Sequence, residues 1–162
     1  ADVRKTGDRS LKRYSKKFDG VDLKKIAVGQ KELTVAEKNV PESLKSAINL
    51  AIENIKRFHS VQVEEIKKIE TMDGVECWRR PTPMKRVGLY IPGGSAPLFS
   101  TVLMLGIPAQ IAGCSEVVLC TPPSKDGSIH PAILYAAQKV GVTEIYRCGG
   151  AQAIAAMAYG TN

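Results

Sequence analysis

Hydrophobic and polar positions along the 162 residues change period near residue 60. Before it, apolar side chains recur at three- and four-residue spacing, the period of an amphipathic helix. Leu11, Tyr14, Ser15 and Phe18 share one such face, predicting a short helix from Ser10 to Phe18 that Asp19-Gly20 ends. Val21 to Val28 is short and mixed and reads as a small strand, and Glu32 to Lys38 as a helical turn or two. Behind Pro41, which suits a helix start, come Leu44, Ile48, Ala51, Ile52, Ile55 and Phe58. Lys45, Asn49, Glu53, Lys56 and Arg57 fall on the opposite side, so this segment is a helix of about five turns packed on one face.

The period then shortens to two. From Ile66 to Arg80 polar and apolar residues alternate on both sides of Asp73-Gly74, the turn signal of a β-hairpin. Trp78 lies in the return strand, where packing is its expected role. Pro81-Thr82-Pro83 interrupts the pattern and is the expected boundary between a helical region with a hairpin (1–80) and a second region (81–162).

Residues 81–162 repeat one unit: a short apolar run, a Gly or Pro loop, then a small-residue helix. The strands are predicted at Arg86–Ile91, Glu116–Cys120 and Thr143–Arg147, and the helices at Leu98–Ala112, Pro131–Val140 and Ala151–Tyr159. Strand-to-helix order of this kind gives a parallel sheet with right-handed crossovers, an α/β fold. The loops after its strands share one edge, where open parallel sheets bind ligands. Gly93-Gly94 and Gly149-Gly150 stand in the first and third of these loops. Glycines there let backbone N–H groups approach an anion at a helix N-terminus. Plain turn glycines are the alternative, and the pattern leaves both readings open. Pro92-Gly93-Gly94-Ser95 is not the Gly-x-Gly-x-x-Gly fingerprint, and Cys120-Thr121-Pro122 offers no carboxylate for a ribose.

The net charge of +7 raises the question of a nucleic-acid or membrane surface. The Lys and Arg are spread over the first 86 residues among Asp and Glu, without interleaved aromatics. That is a solvated helical face, and neither nucleic acid nor membrane is expected as a partner. No apolar run is long enough to cross a bilayer. The polar start reads as lacking a signal peptide, and both ends read as cut, so a piece of a longer chain is expected. Cys77, Cys114, Cys120 and Cys148 show no metal or redox spacing and read as small buried hydrophobes in a reducing compartment. Cys148, before Gly149-Gly150, is the candidate should one thiol be catalytic. The histidines, His59 at a helix end and His130 before Pro131, read as caps. The residues alone thus give a ligand-binding layer without evident catalytic machinery.

Longer stretches narrow this. Val87-Gly88-Leu89-Tyr90-Ile91-Pro92-Gly93-Gly94-Ser95-Ala96-Pro97-Leu98-Phe99-Ser100 and Gly149-Gly150-Ala151-Gln152-Ala153-Ile154-Ala155-Ala156 resemble the histidinol dehydrogenase family. Ile107 to Cys114 and Val117 to Cys120 match it as well, and Tyr14 to Asp19 and Asn54 to His59 more loosely. The resemblance implies an incomplete Rossmann-like layer of the aldehyde-dehydrogenase-like class, preceded by helices and a hairpin. It implies a cytoplasmic oxidoreductase of histidine biosynthesis. Such an enzyme takes L-histidinol through the aldehyde to L-histidine with NAD, and depends on zinc. It implies a homodimer with exchanged segments. Tyr90 and Gln152 match the family's NAD-contacting Tyr and Gln, with Gly93, Gly94, Gly149 and Gly150 as backbone neighbours. Their plain readings are a packed tyrosine and a helix-capping glutamine. The family's NAD-contacting Asn, its zinc ligands and its Glu-His acid/base pair have no counterpart here. The chain is therefore expected to be an N-terminal portion, inactive alone. A non-catalytic nucleotide- or phosphate-binding β/α module is the alternative.

Overall fold

The computed structural model describes residues 2–94 and 96–161. Ser95 of the first glycine loop lies outside them. The helices before the hairpin are α1 (Asp2–Thr6), α2 (Asp8–Tyr14), α3 (Gln30–Asn39) and α4 (Glu42–Ser60). The hairpin is β1 (Lys68–Met72) and β2 (Val75–Trp78). The layer comprises β3 (Arg86–Tyr90), α5 (Phe99–Ile111), β4 (Glu116–Thr121), α6 (Pro131–Lys139), β5 (Glu144–Arg147) and α7 (Gly150–Tyr159).

The layer is the expected one: a parallel sheet in the order β3-β4-β5, separate from the antiparallel hairpin. Alternation along the strands makes two unlike faces. Leu89, Val117, Leu119 and Ile145 join the larger core with Val102 and Ile107 of α5 and Ile133 and Ala136 of α6. Tyr90, Cys120, Tyr146 and Cys148 face the other way, into a smaller cluster with Ala153 and Met157 of α7 and with Val3 and Leu11. Thus α5 and α6 share one side and α7 crosses to the other.

A second row of helices backs the first. α4 lies along α5 and α3 along α6. Ile48 and Ile52 of α4 are buried in this seam, each contributing about 1.5–3 kcal/mol by leaving water. The apolar face of α4 predicted by its spacing is packed from Leu44 to Ile55, but Phe58, expected on the same face, is 66% exposed. α3 carries its own start signal, since the Gly29 N–H donates to Glu32 Oε1 at 3.0 Å.

Several expectations need correcting. α2 gives way to a π-helical turn at Ser15–Asp19, ended by Gly20 in the left-handed region (φ 72°). The wider turn slips the register, so Leu11 and Ser15 are buried while Phe18 is 64% exposed. Val21 to Val28 forms no strand. Its only ladder element is a single antiparallel bridge, Ala27 to Tyr146. With the Arg147 N–H on the Ile26 carbonyl (2.8 Å) and the Val28 N–H on the Ile145 carbonyl (2.9 Å), it covers the outer edge of β5. No described strand pairs with the outer edge of β3.

The hairpin forms around Asp73-Gly74 as predicted, with Lys68 opposite Trp78 and Glu70 opposite Glu76. Every residue from 61 to 86 is exposed. Trp78 is not a packing residue of this chain: it is 53% exposed, with the Lys68 ammonium 5.2 Å from its ring centre. Cys77, on the same strand, is likewise exposed rather than buried.

Candidate functional site

The carboxyl ends of β3, β4 and β5 carry three loops that meet at one proline. Pro122, just after β4, fills the space between the two glycine loops. A Cβ at Gly93 would come within 2.7 Å of the Pro122 ring, and a Cβ at Gly149 within 2.6 Å. These two glycines therefore serve close packing of loop on loop, a role the sequence left open between anion approach and turn formation. Gly94 differs: among the described residues beyond its chain neighbours, the nearest atom to its Cβ position is the Ala96 carbonyl oxygen at 4.0 Å. Gly150 has φ +65°, a conformation L side chains rarely adopt, and it opens α7.

Tyr90 and Gln152 both lie against Gly150. The Tyr90 hydroxyl accepts the Gly150 N–H at 2.9 Å, joining residues 60 apart in the chain. The Gln152 amide lies where a Gly150 side chain would be, its Oε1 2.7 Å from that position. Both side chains are half-buried, while Gly93, Gly94 and Gly150 are exposed. The result is a rim at the start of α7 with a phenol, a carboxamide and open backbone. The first-turn N–H groups of a helix lack intrahelical acceptors and carry partial positive charge. An anionic group meeting α7 here would find such donors. Two hollows, of about 830 Å³ on the hairpin and about 790 Å³ beneath α7, are lined by other residues.

The remaining chemical candidates have settled structural partners. Burial pushes the Cys148 thiol up to about 12, with the nearby Cys120 adding to the shift. A thiol so raised stays protonated near neutrality, the opposite of an activated nucleophile. The His130 ring accepts the Ala132 N–H at 3.2 Å and caps α6. His59 Nδ1 pairs with Gln62 Oε1 at 2.8 Å at the end of α4. Among the described residues no group of His, Cys, Asp and Glu is arranged to hold a metal ion. No helix there is long and apolar enough to cross a membrane.

Sequence reasoning passed over Arg147. It ends β5 on the side of the large core, is 7% exposed, and its guanidinium meets the Glu32 carboxylate and the Ala27 carbonyl oxygen. The signal that could have found it is a charged residue on the same side of β5 as the buried Ile145, two positions before a glycine pair.

Comparison with known proteins agrees with this architecture over its whole length. A family profile described as histidinol dehydrogenase matches residues 1–162. A protein of that name from Bacteroides fragilis is 59% identical over 159 residues, covering 98% of this chain and 37% of the relative. One from Xanthomonas euvesicatoria pv. vesicatoria is 53% identical over 161 residues, covering 99% and 37%. The crystal structure of histidinol dehydrogenase from Elizabethkingia anophelis superposes with a TM-score of 0.97 at 52% identity, over 99% of this chain and 37% of that one. The chain thus spans little more than a third of the length of these relatives.

Proposed function

The chain belongs to the histidinol dehydrogenase family, and from that premise we propose that it supplies the cofactor-binding half of an NAD-dependent dehydrogenase. The longer protein would oxidise L-histidinol through the aldehyde to L-histidine, in the cytoplasm. On this reading the layer at 81–162 meets the cofactor and the helices of residues 1–60 back it.

The observation that carries the reading is the convergence of Tyr90 and Gln152 on Gly150. These are the two side chains that the family motifs assign to NAD, and both lie against one glycine at the carboxyl edge of the sheet, Tyr90 on its N–H and Gln152 beside its Cα. The rim fits the cofactor chemically. Gly94 leaves room for backbone approach, the start of α7 favours a phosphate, and the phenol and carboxamide offer both donors and acceptors. NAD, when bound, accepts a hydride from the alcohol carbon. This chain's part is to bind and orient it: Gln152 from the first turn of α7, Tyr90 from the end of β3. Both are set by the packing of Gly93 and Gly149 on Pro122.

The residues present do not fit zinc. Cys120 and Cys148 are buried under α7 with raised thiols, His130 caps α6 and the His59 ring is paired with the Gln62 side chain. Zinc ligands and the acid/base pair are assigned to the part of the longer protein beyond this segment. The segment alone is then inactive, and the homodimer with exchanged segments is likewise a property of the longer chain. The relatives bear a dehydrogenase's name, which does not favour a stand-alone binding module.

The test is kinetic. In the full-length protein Tyr90→Ala and Gln152→Ala should each raise the KM for NAD by on the order of 10-fold, with the KM for histidinol unchanged. An NAD KM within twofold of wild type in both variants would overturn the assignment.

A further inference from the structure

Arg147 and Glu32 form a clamp whose position bears on the glycine loop. Arg147 is the last residue of β5 and stands three positions before Gly150. Its Nη1 donates to the Ala27 carbonyl oxygen at 3.1 Å, its Nη2 to Glu32 Oε2, and its main-chain N–H to the Ile26 carbonyl at 2.8 Å. The second oxygen of Glu32 accepts the Gly29 N–H at 3.0 Å. One carboxylate thus ties the start of α3 to the end of β5 across 115 residues.

The next three residues are gripped in turn. The Cys148 N–H donates to the Thr121 carbonyl at 2.9 Å. Gly149 lies against Pro122. The Gly150 N–H donates to Tyr90. The loop is held from outside by Arg147, from below by β4 and from within by Tyr90. Of these grips the outer one alone is ionic.

Bulk stability does not explain that choice. The guanidinium is buried, and desolvation pulls its pKa below the ordinary arginine value. The Glu32 side chain is 46% exposed, so solvent weakens the attraction while the guanidinium still bears its desolvation, and the pair gains little net stability. What a planar guanidinium supplies by donating at once to a carboxylate and to a backbone carbonyl, and an apolar contact does not, is a fixed direction and distance. We infer that Arg147 is a positioning residue: held by Glu32 and Ala27, it sets the place of the Gly149–Gly150 loop and so of the Gly150 and Gln152 groups that meet the cofactor. The inference rests on the cofactor reading above and extends it to residues outside the rim.

The test is steady-state kinetics on the full-length protein with Arg147→Met and Glu32→Gln combined. The carboxamide oxygen introduced by Glu32→Gln can still accept the Gly29 N–H, and methionine refills the arginine's volume. The expected result is a thermal midpoint close to wild type with the KM for NAD raised on the order of 10-fold, as small displacements of orienting groups do. The kcat and the KM for histidinol should stay within twofold. Arg147→Lys, which keeps the charge but not the fork, should recover part of the affinity. An NAD KM within twofold of wild type in the double variant overturns the inference. Should the double variant not fold, Arg147→Lys decides alone: a rise of roughly threefold in the NAD KM supports the clamp, and no rise overturns it. Gln152→Ala run alongside separates the two readings. If it too leaves the NAD KM unchanged, the cofactor assignment has failed. If it alone raises the KM, only the role of Arg147 has.

Discussion

The three-stranded layer and the hairpin use the same kinds of residue and meet opposite fates. In the layer, Ile91 and Leu119 are 0% exposed and Val117 1%. In the hairpin, Ile69 is 63% and Met72 67% exposed. Both sets of strands form, so strand formation and burial are separate achievements. The hairpin needs only its own turn: Asp73-Gly74 reverses the chain, with Gly74 at φ +75° and its N–H on Glu70 Oε1 at 3.0 Å. The layer needs partners far along the chain. β3 and β4 are joined through α5, and β4 and β5 through α6, so their pairing and their core arise together.

The largest expected break in this contrast is at Gly106, in the middle of α5. A Cβ there would fall 2.4 Å from Val140 Cγ2, and Val140 is fully buried. Valine is stiff and cannot yield, so the helix tolerates a glycine it would otherwise disfavour. Gly106→Val should destabilise the chain by about 3 kcal/mol or more in a urea melt. A loss below about 1 kcal/mol would mean that α5 and α6 are not so closely packed.

A second contrast is in the thiols. Burial pushes Cys120 up to about 11 and Cys148 up to about 12, from an ordinary 9.0. A raised folded value means the folded state holds its proton longer than the unfolded one. The stability these thiols lend is therefore complete below pH 9 and lost as the pH climbs through 11 to 12. The layer should unfold progressively more easily over that range. Alkylation at pH 8 should mark the exposed Cys77 and spare Cys120 and Cys148, as peptide mass mapping would read. Equal labelling of all three would erase the difference between the regions.

The smallest effect is expected at Trp78→Ala. It removes the ring under Lys68, a contact worth about 0.5–1 kcal/mol at an exposed site, and no core contact. The urea midpoint of the chain should move by less than that implies for a core aromatic, for which about 3–5 kcal/mol is usual. A core-sized loss would show that the hairpin packs against the rest.

Much of this is legible in the residues. Leu44 to Phe58 announce α4, Asp73-Gly74 the hairpin, and the thrice-repeated strand, loop and helix the layer. These are local signals, set by period and turn chemistry. What stays hidden is long-range. Nothing in Pro122 alone says that two glycines rest on it, nor in Tyr90 that it reaches an amide 60 residues on. Phe18 leaves its expected face because a π-helical turn shifts that face by part of a turn, which a fixed period cannot foresee. Trp78 and Cys77 depart from expectation for a different reason: apolarity predicts burial only where something is there to do the burying.

The wedge at Pro122 has a mechanical meaning. Gly93 and Gly149 belong to loops that leave two different strands, and both rest on one rigid ring. Neither loop can swing inward without displacing the stop on which the other leans. The ring thereby couples the positions of the two loops: a shift of one is passed to the other through close packing.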